Sequence, residues 1–292
     1  MRITDGMRLN DSLASEARTS QQMYDLTQEA SSGYKVNSPS DDPAAYASVV
    51  SLDSRIAVLQ ARSTAATEAS SNLSTADDVL SSASNLLVQA KQTALEMANG
   101  TVDPATRAAA AQTIDGLTQS LLSIANAQGS NGYLFGGTAT GSPPFDTTGN
   151  FVGNNGTTQI EVADGIDAQT NVSGAAAFTA AGGRDVFADL QALSTALTSN
   201  DIPTITASIA NLDSDNTQVV AAQVSAGTLT DRLQSSSTVT TNAIADDQTQ
   251  LADTQDADVA QVYSEFEQSQ TDYESALSVT KQILSLPTVL QS

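Results

Sequence analysis

One stretch, residues 43–99, limits what this chain can fold into more than any other. It opens at Pro43 and then runs through Asn99 without another proline or any glycine, 57 residues in all. Its small and apolar positions advance by fours and threes through Ala45, Val49, Leu52, Ile56, Leu59, Ser63, Ala66, Ser70 and Leu73. Such spacing marks one stripe of a helix. The stripe then takes one short step and continues through Ala76, Leu80, Ala83, Leu87, Ala90, Ala94 and Met97. At 1.5 Å per residue a helix over this stretch is about 85 Å long, far beyond the three or four turns usual in a globular domain. The spacing predicts an elongated chain organised on one long helix, with a change of partner near Leu73.

Shorter patterns flank it. Residues 5–32 carry Leu9, Leu13, Ala17, Met23, Leu26 and Ala30 loosely on one side, a stripe too weak to stabilise an isolated helix. Gly33 is placed to close that helix with a left-handed cap. Asp42 then reads as an N-cap and Pro43 as the first helical residue, where the missing N–H costs nothing. Asn99-Gly100 stops the long helix, and Asp103-Pro104 starts another that reaches about Gln128. Its stripe is Ala110, Ile114, Leu117, Leu121 and Ile124, and so short a connection favours an antiparallel hairpin with the later half of the long helix. The earlier half is left for helices of the second half of the chain.

Residues 133–183 turn to Gly, Thr, Asn and Pro, with strand candidates at 133–135, 150–152 and 159–162. Asn155-Gly156 between the last two is a hairpin signal. A β-rich insertion of this size is too small to be an independent catalytic domain. Helix returns at 184–199, and Pro203 opens another long helical stretch to at least Leu233. Last, Val259, Val262, Phe266, Ser269, Tyr273, Ala276, Thr280 and Ile283 fall at strict three-four spacing, widened by Leu277, Leu284 and Leu286 before Pro287 ends the run. Two of those positions are hydroxyl residues, so the face is coiled-coil-like, of modest strength, and wants a partner helix. The fold class is mainly α: an elongated bundle of long antiparallel helices with a small β-rich insertion and coiled-coil-like terminal helices. The expected domains are 1–42 with 253–292, then 43–132 with 184–252, and the insertion 133–183.

Composition bears on function mostly by exclusion. Aromatics are 4% and tryptophan is absent, which suits thin helix-to-helix seams better than a thick core. A net charge of −22 opposes nucleic acid and anionic membrane surfaces as partners. With no cysteine and no histidine, thiolate chemistry and the commonest general base and metal ligand are missing. No run is apolar enough to span a membrane. The first ten residues lack the apolar core of a secretory signal, which predicts a cytosolic chain or one exported by a route that does not read such a signal. Asp41-Asp42 has no histidine, lysine or further ligand nearby, so it reads as a helix cap. Asp213-x-Asp215 starts like a calcium loop, but Gln218 stands in place of the turn glycine and Val224 in place of the last glutamate. Gly136-Gly137 lacks the other glycines of a dinucleotide site. Asp246, Asp247, Asp253, Asp256 and Asp258 read as a solvated face before the last helix. No catalytic, cofactor or metal site is expected, and the chain is not read as an enzyme.

Three motifs point to a family. Ser31-Ser32-Gly33-Tyr34-Lys35-Val36-Asn37-Ser38-Pro39-Ser40-Asp41-Asp42-Pro43-Ala44-Ala45 resembles the signature that follows the first helix in the bacterial flagellin superfamily of axial proteins. Its Pro-Ser-Asp-Asp-Pro form is nearer the hook-associated junction members than the filament flagellins. Asn131-Gly132-Tyr133-Leu134-Phe135-Gly136-Gly137-Thr138, with Pro143-Pro144-Phe145, is similar to the entry into their β domain. Leu251-Ala252-Asp253-Thr254-Gln255-Asp256-Ala257-Asp258-Val259-Ala260 resembles the opening of their C-terminal helix.

The resemblance implies an extracellular structural ring between hook and filament, exported through the flagellum's own type III channel without a classical signal peptide. It implies as partners like subunits, a hook-associated neighbour, flagellin, and an export chaperone on the C-terminal helix. Leu9, Leu13, Met23, Leu26, Val259, Val262, Phe266, Tyr273, Leu277, Ile283 and Leu284 are the expected assembly residues, with Asp41, Asp42 and Pro43 as cap and signature. A filament-forming flagellin is the nearest alternative. An adhesin or enzyme carried by the insertion is a more distant one.

Overall fold

The structure is a computed structural model and describes residues 5–179 and 184–285. Among them are helices α1 (Asp5–Ser32), α2 (Pro43–Met97), α3 (Pro104–Ala125), α4 (Gly174–Phe178), α5 (Val186–Ser199), α6 (Ile202–Gln255) and α7 (Val259–Ser285). Two short antiparallel hairpins complete the fold, β1 (Gln128–Gly129) with β2 (Gly132–Tyr133) and β3 (Gln159–Ala163) with β4 (Ile166–Gln169). The mainly α class holds. Two compact units emerge, Met1–Val58 with Ile244–Ser292, and Leu59–Ala243.

The helix ends follow local chemistry. Asp42 Oδ1 accepts from the N–H groups of Ala44 and Ala45, each at 2.9 Å, so α2 begins at Pro43 with its first free donors satisfied. Asp103 does the same for α3 through Thr106 N at 3.0 Å. Gly33, at φ 78°, supplies the left-handed residue after α1. α6 runs 54 residues, well past Leu233, although its sequence beyond that point is mostly polar. There Thr238, Thr241, Thr249 and Thr254 each donate their hydroxyl to the carbonyl four residues back. Those hydroxyls are satisfied inside the helix and do not compete for its end.

In the Leu59–Ala243 unit one apolar cluster joins α2, α3, α5 and α6. Leu80 and Leu87 of α2, Ile114 and Leu121 of α3, Leu190 and Leu193 of α5, and Ile205 and Leu212 of α6 are all buried in it. α3 shares this core with the later half of α2 as expected. That half also meets α6, through Ser84 Oγ to Asn216 Oδ1 at 2.6 Å and the Lys91–Asp213 ion pair. Arg107 is buried at the turn between α2 and α3. Its guanidinium donates to the Met97 carbonyl at 2.9 Å, to the Asn99 carbonyl at 2.7 Å and to the Asn200 side chain. A positive charge on the last carbonyls of α2 satisfies both their lone pairs and the helix dipole.

The insertion differs from the sequence expectation. Residues 150–152 do not pair with 159–162. Phe151 instead makes an isolated bridge to Phe145, and β3 folds back onto β4 around Asp164-Gly165, with Gly165 at φ 69°. The Asn154 carboxamide oxygen accepts from Thr138 N and Gly156 N, both at 2.9 Å, which makes Asn155-Gly156 part of a loop built by a side chain. Residues 133–135 give only the end of β2. Packing comes from aromatics: Phe145 lies 5.3 Å from Phe151, 5.6 Å from Phe178 and 5.4 Å from Phe187, ring centre to ring centre. Phe187 belongs to α5, so the insertion shares the core of the helices.

Two aspartates read as solvent-facing or as part of a rejected calcium loop are buried. Asp247 pairs with Arg55 at 3.1 Å within the unit that holds both chain ends. Asp215 is fully buried on α6, with Arg184 at 3.5 Å, and Arg184 is itself held by Asp189 of α5 at 2.7 Å. Burial first, then the neighbouring Asp189 charge, pushes the Asp215 carboxyl from the usual 3.8 up to about 7, against the opposing pull of Arg184.

Two outcomes are expected. Arg107→Met leaves two carbonyls and an amide without their donor and costs about 3 kcal/mol, read as a lower urea midpoint by far-ultraviolet circular dichroism. For Asp215 the folded state keeps a proton that the unfolded chain releases, so its contribution to stability is present below 3.8 and is lost as pH rises through about 7. Asp215→Asn keeps a donor toward Asp189 without the charge. Its urea midpoint should fall less between pH 5 and pH 8 than that of the parent chain, and an equal fall would disprove the assignment.

Candidate assembly surface

The first and last described helices, α1 and α7, lie in the Met1–Val58 and Ile244–Ser292 unit. α1 and α7 pack against each other, and the pair is antiparallel. Ser12 Oγ lies 2.7 Å from Thr280 Oγ1, and about two turns further along α1 the Thr19 carbonyl accepts from Ser269 Oγ at 3.5 Å.

The seam is built from small and hydroxyl residues. Val262, Ser269 and Thr280 of α7 and Thr19 of α1 are buried. Phe266, Tyr273 and Leu277 of α7, and Leu9, Met23 and Leu26 of α1, are half-buried beside them. On α1 the residues turned from solvent are Leu9, Ser12, Glu16, Thr19, Met23, Leu26 and Ala30, a three-four series as strict as that of α7. A reading of apolar residues alone misses it, because three of its seven members are polar.

Leu13 is therefore off the seam and 47% exposed, and Val259, at the start of α7, is 48% exposed. The side chains of Ile283 and Leu284, and the Leu286-Pro287 stop, lie outside the described residues. Exposed apolar side chains that sequence reasoning passed over are Met7, Tyr24, Tyr263 and Val279. Alongside them runs a groove lined by Asp25, Glu29, Glu265 and Asp272, where partial burial and the charges of Glu265, Asp25 and Asp41 raise the Glu29 pKa.

The segments joining α1 to α2 and α6 to α7 are laced together. Lys35 N donates to the Gln255 carbonyl at 2.7 Å, and Ala257 N to the Gly33 carbonyl at 2.9 Å, with Tyr34 bridging Asp256. The Lys35 ammonium reaches the Asp253 carbonyl at 2.8 Å. Asp41 folds back onto its own loop and accepts from Asn37 N at 2.9 Å and Ser38 N at 2.8 Å, hydrogen bonds that hold its carboxyl below the usual range. Of the Asp41-Asp42 pair, then, only Asp42 caps α2, while Asp41 shapes the turn. Asp258 caps α7 through Ala260 N at 3.0 Å. The arrangement holds two long helices by their roots. Among the described residues it brings together no cluster of metal-ligating side chains, and no helix is long and apolar enough to cross a membrane.

Known proteins resemble this chain in sequence and in fold. Residues 6–140, from α1 into the insertion, match the family described as the bacterial flagellin N-terminal helical region. Flagellar hook-associated protein 3 of Salmonella typhimurium is 30% identical over 155 residues, which cover 52% of this chain and 49% of that protein. The chain thus spans about half the length of the curated relatives it matches. The fold is shared more widely than the sequence. A structure described as a flagellar hook-associated protein from Vibrio parahaemolyticus superposes with a TM-score of 0.69 at 22% identity, covering 74% of this chain and 100% of that one. Xanthomonas campestris FlgL gives 0.62 at 16% identity, covering 69% and 99%. Residues 6–140 match the flagellin N-terminal helical region, and the chain has the fold seen in the hook-associated protein structures on which it superposes.

Proposed function

We propose that this chain is a structural subunit of the bacterial flagellum and serves as the junction between hook and filament. The observation that carries the proposal is the α1–α7 pair. Its internal seam is small and hydroxyl-rich, while Leu13, Tyr24, Tyr263 and Val279 are left exposed. A pair that buries so little of its own apolar surface is marginal alone and is stabilised by further helices packed on its flanks. Like subunits in a ring supply those helices. A hook-associated protein on one side and flagellin on the other extend the same packing, and ordering of the ends couples to association.

The likeness to hook-associated protein 3 over 155 residues supports the junction role over that of a filament flagellin, as does the Pro-Ser-Asp-Asp-Pro form at 39–43. On this reading residues 1–42 and 253–292 form the axial assembly region, 43–132 with 184–252 the helical body, and 133–183 an outer elaboration. The subunit leaves the cell through the flagellar export channel, escorted by a chaperone on its C-terminal helix, and acts without catalysis.

Genetics separates the two flagellar roles. Deleting the gene should leave cells with hooks and with monomeric flagellin in the medium. Hooks without secreted flagellin would instead mark this chain as the filament subunit. Truncation at residue 258 should give a soluble and still largely helical protein that no longer restores motility to the deletion strain. Full swimming by the truncated form would remove α7 from the assembly surface.

A further inference from the structure

A cavity of about 520 Å³ opens in the Leu59–Ala243 unit between α2 and the insertion, within the range of roughly 300–1,000 Å³ usual for small-molecule pockets. No residue lining it is charged, in a chain of net charge −22. Its walls are fixed by amides already in use. Asn72 Oδ1 accepts from Ser130 N at 3.0 Å and Ser130 Oγ at 2.9 Å, while Asn171 accepts from Thr158 N and donates to the Gly156 carbonyl, both at 2.9 Å. Gly132, at φ +105°, brings the β1–β2 turn so close to Thr140 that a Cβ there would sit 2.3 Å from the Thr140 carbonyl oxygen. The cavity is thus formed before any ligand arrives, which lowers the cost of binding.

A second set of lining groups is not in use. The side chains of Asn131, Gln159, Tyr133, Thr140 and Thr157 make no hydrogen bond to other described residues. Carboxamides and hydroxyls each donate and accept, and none carries charge. An ionic ligand finds no counter-charge here and keeps its desolvation penalty. A purely apolar ligand would strip water from these groups without replacing the lost hydrogen bonds. Adjacent hydroxyls on a sugar ring both donate and accept at close spacing, and Leu73, Leu134 and the Tyr133 ring offer apolar surface to the ring's C–H groups. We propose that this cavity binds a neutral saccharide of one or two rings, an activity separate from assembly.

Saturation-transfer NMR on the full chain tests this. The neutral probes are methyl α-glucoside, methyl β-galactoside and methyl N-acetyl-β-glucosaminide, with glucuronate, glucose 6-phosphate and trialanine as counter-probes. At least one neutral glycoside should receive saturation and the counter-probes should not. The double variant Asn131→Ala/Gln159→Ala should weaken that binding about tenfold or more, as expected for one or two lost hydrogen bonds, with an unchanged far-ultraviolet spectrum. Thr157→Trp, at an exposed position on the rim, should abolish it by filling the cavity. No transfer to any neutral glycoside, equal transfer to a charged probe or to the peptide, or parental binding by both variants would overturn the proposal. Motility of the variants is expected to match the parent, so failure here leaves the junction assignment standing.

Discussion

Close approach of long helices through alanine is the constraint on which the rest of this structure depends. Along α2 the buried positions alternate between Leu73, Leu80 and Leu87 and the alanines at 76, 83, 90 and 94, all with almost no exposed surface. Alanine lets two backbones come near but removes little apolar area from water, and the hydrophobic gain scales with that area, at about 25 cal/mol per Å². A core made this way gains its stability from length. That is why α2 needs 55 residues and α6 needs 54, α2 with no internal glycine or proline after Pro43 and α6 with Gly227 as one tolerated interruption. Where a thicker core was required, between the insertion and α5, the chain concentrates five of its six phenylalanines in one place.

Long thin helices make their ends matter more. Each end leaves several donors or acceptors unpaired, and at five of the N-terminal ends among the described residues an aspartate meets some of them. Asp42, Asp103, Asp185, Asp201 and Asp258 all sit before a helix and bond its first N–H groups. These five of the chain's 33 acidic residues are therefore structural, favoured by the positive end of each helix dipole. The C-terminal ends have fewer local devices. Gly33 and Asn200 supply left-handed residues, and the end of α2 borrows Arg107 from the next helix.

What was legible in the sequence follows from this division. The bounds of α1 and the starts of α2 and α3 could be read directly because aspartate, proline and glycine act on their immediate neighbours. The far end of α6 could not, since residues 234–255 have no apolar stripe and their hydroxyls are satisfied within the helix. In the insertion two turn signals competed. Asp164-Gly165 won because Val162 and Ile166 flank it closely, whereas Asn154 had drawn Asn155-Gly156 into a contact with Thr138. The burial of Asp215 and of Asp247 rests on arginines 31 and 192 positions away in sequence, and no local pattern announces such pairs. At the candidate surface the α7 series was visible because most of it is apolar. Its complement on α1 was hidden by Ser12, Glu16 and Thr19, and following apolar residues alone selected Leu13, which is off the seam and exposed.

The polarity of that seam bears on how the α1–α7 pair holds one register while leaving apolar side chains exposed beside it. An all-leucine seam between α1 and α7 would bury more area and hold the pair firmly, but the same three-four pattern in many copies would associate without choosing a register. Hydroxyl contacts such as Ser12 with Thr280 and Ser269 with the Thr19 carbonyl contribute little stability each, yet they are satisfied in one alignment only. A shift by one residue would take the buried Ser269 hydroxyl from its acceptor, at a cost of about 1–3 kcal/mol, while Thr280 keeps its bond to the Ala276 carbonyl. Register is thereby fixed with little driving force, and the apolar residues outside the seam remain free to supply that force when other helices arrive. The carboxylates of Asp25, Glu29, Glu265 and Asp272 along the same pair add like-charge repulsion between isolated copies. Under the proposed junction role, that repulsion is overcome only when enough apolar surface is buried at once, which favours stepwise addition to an existing array over pairing in solution.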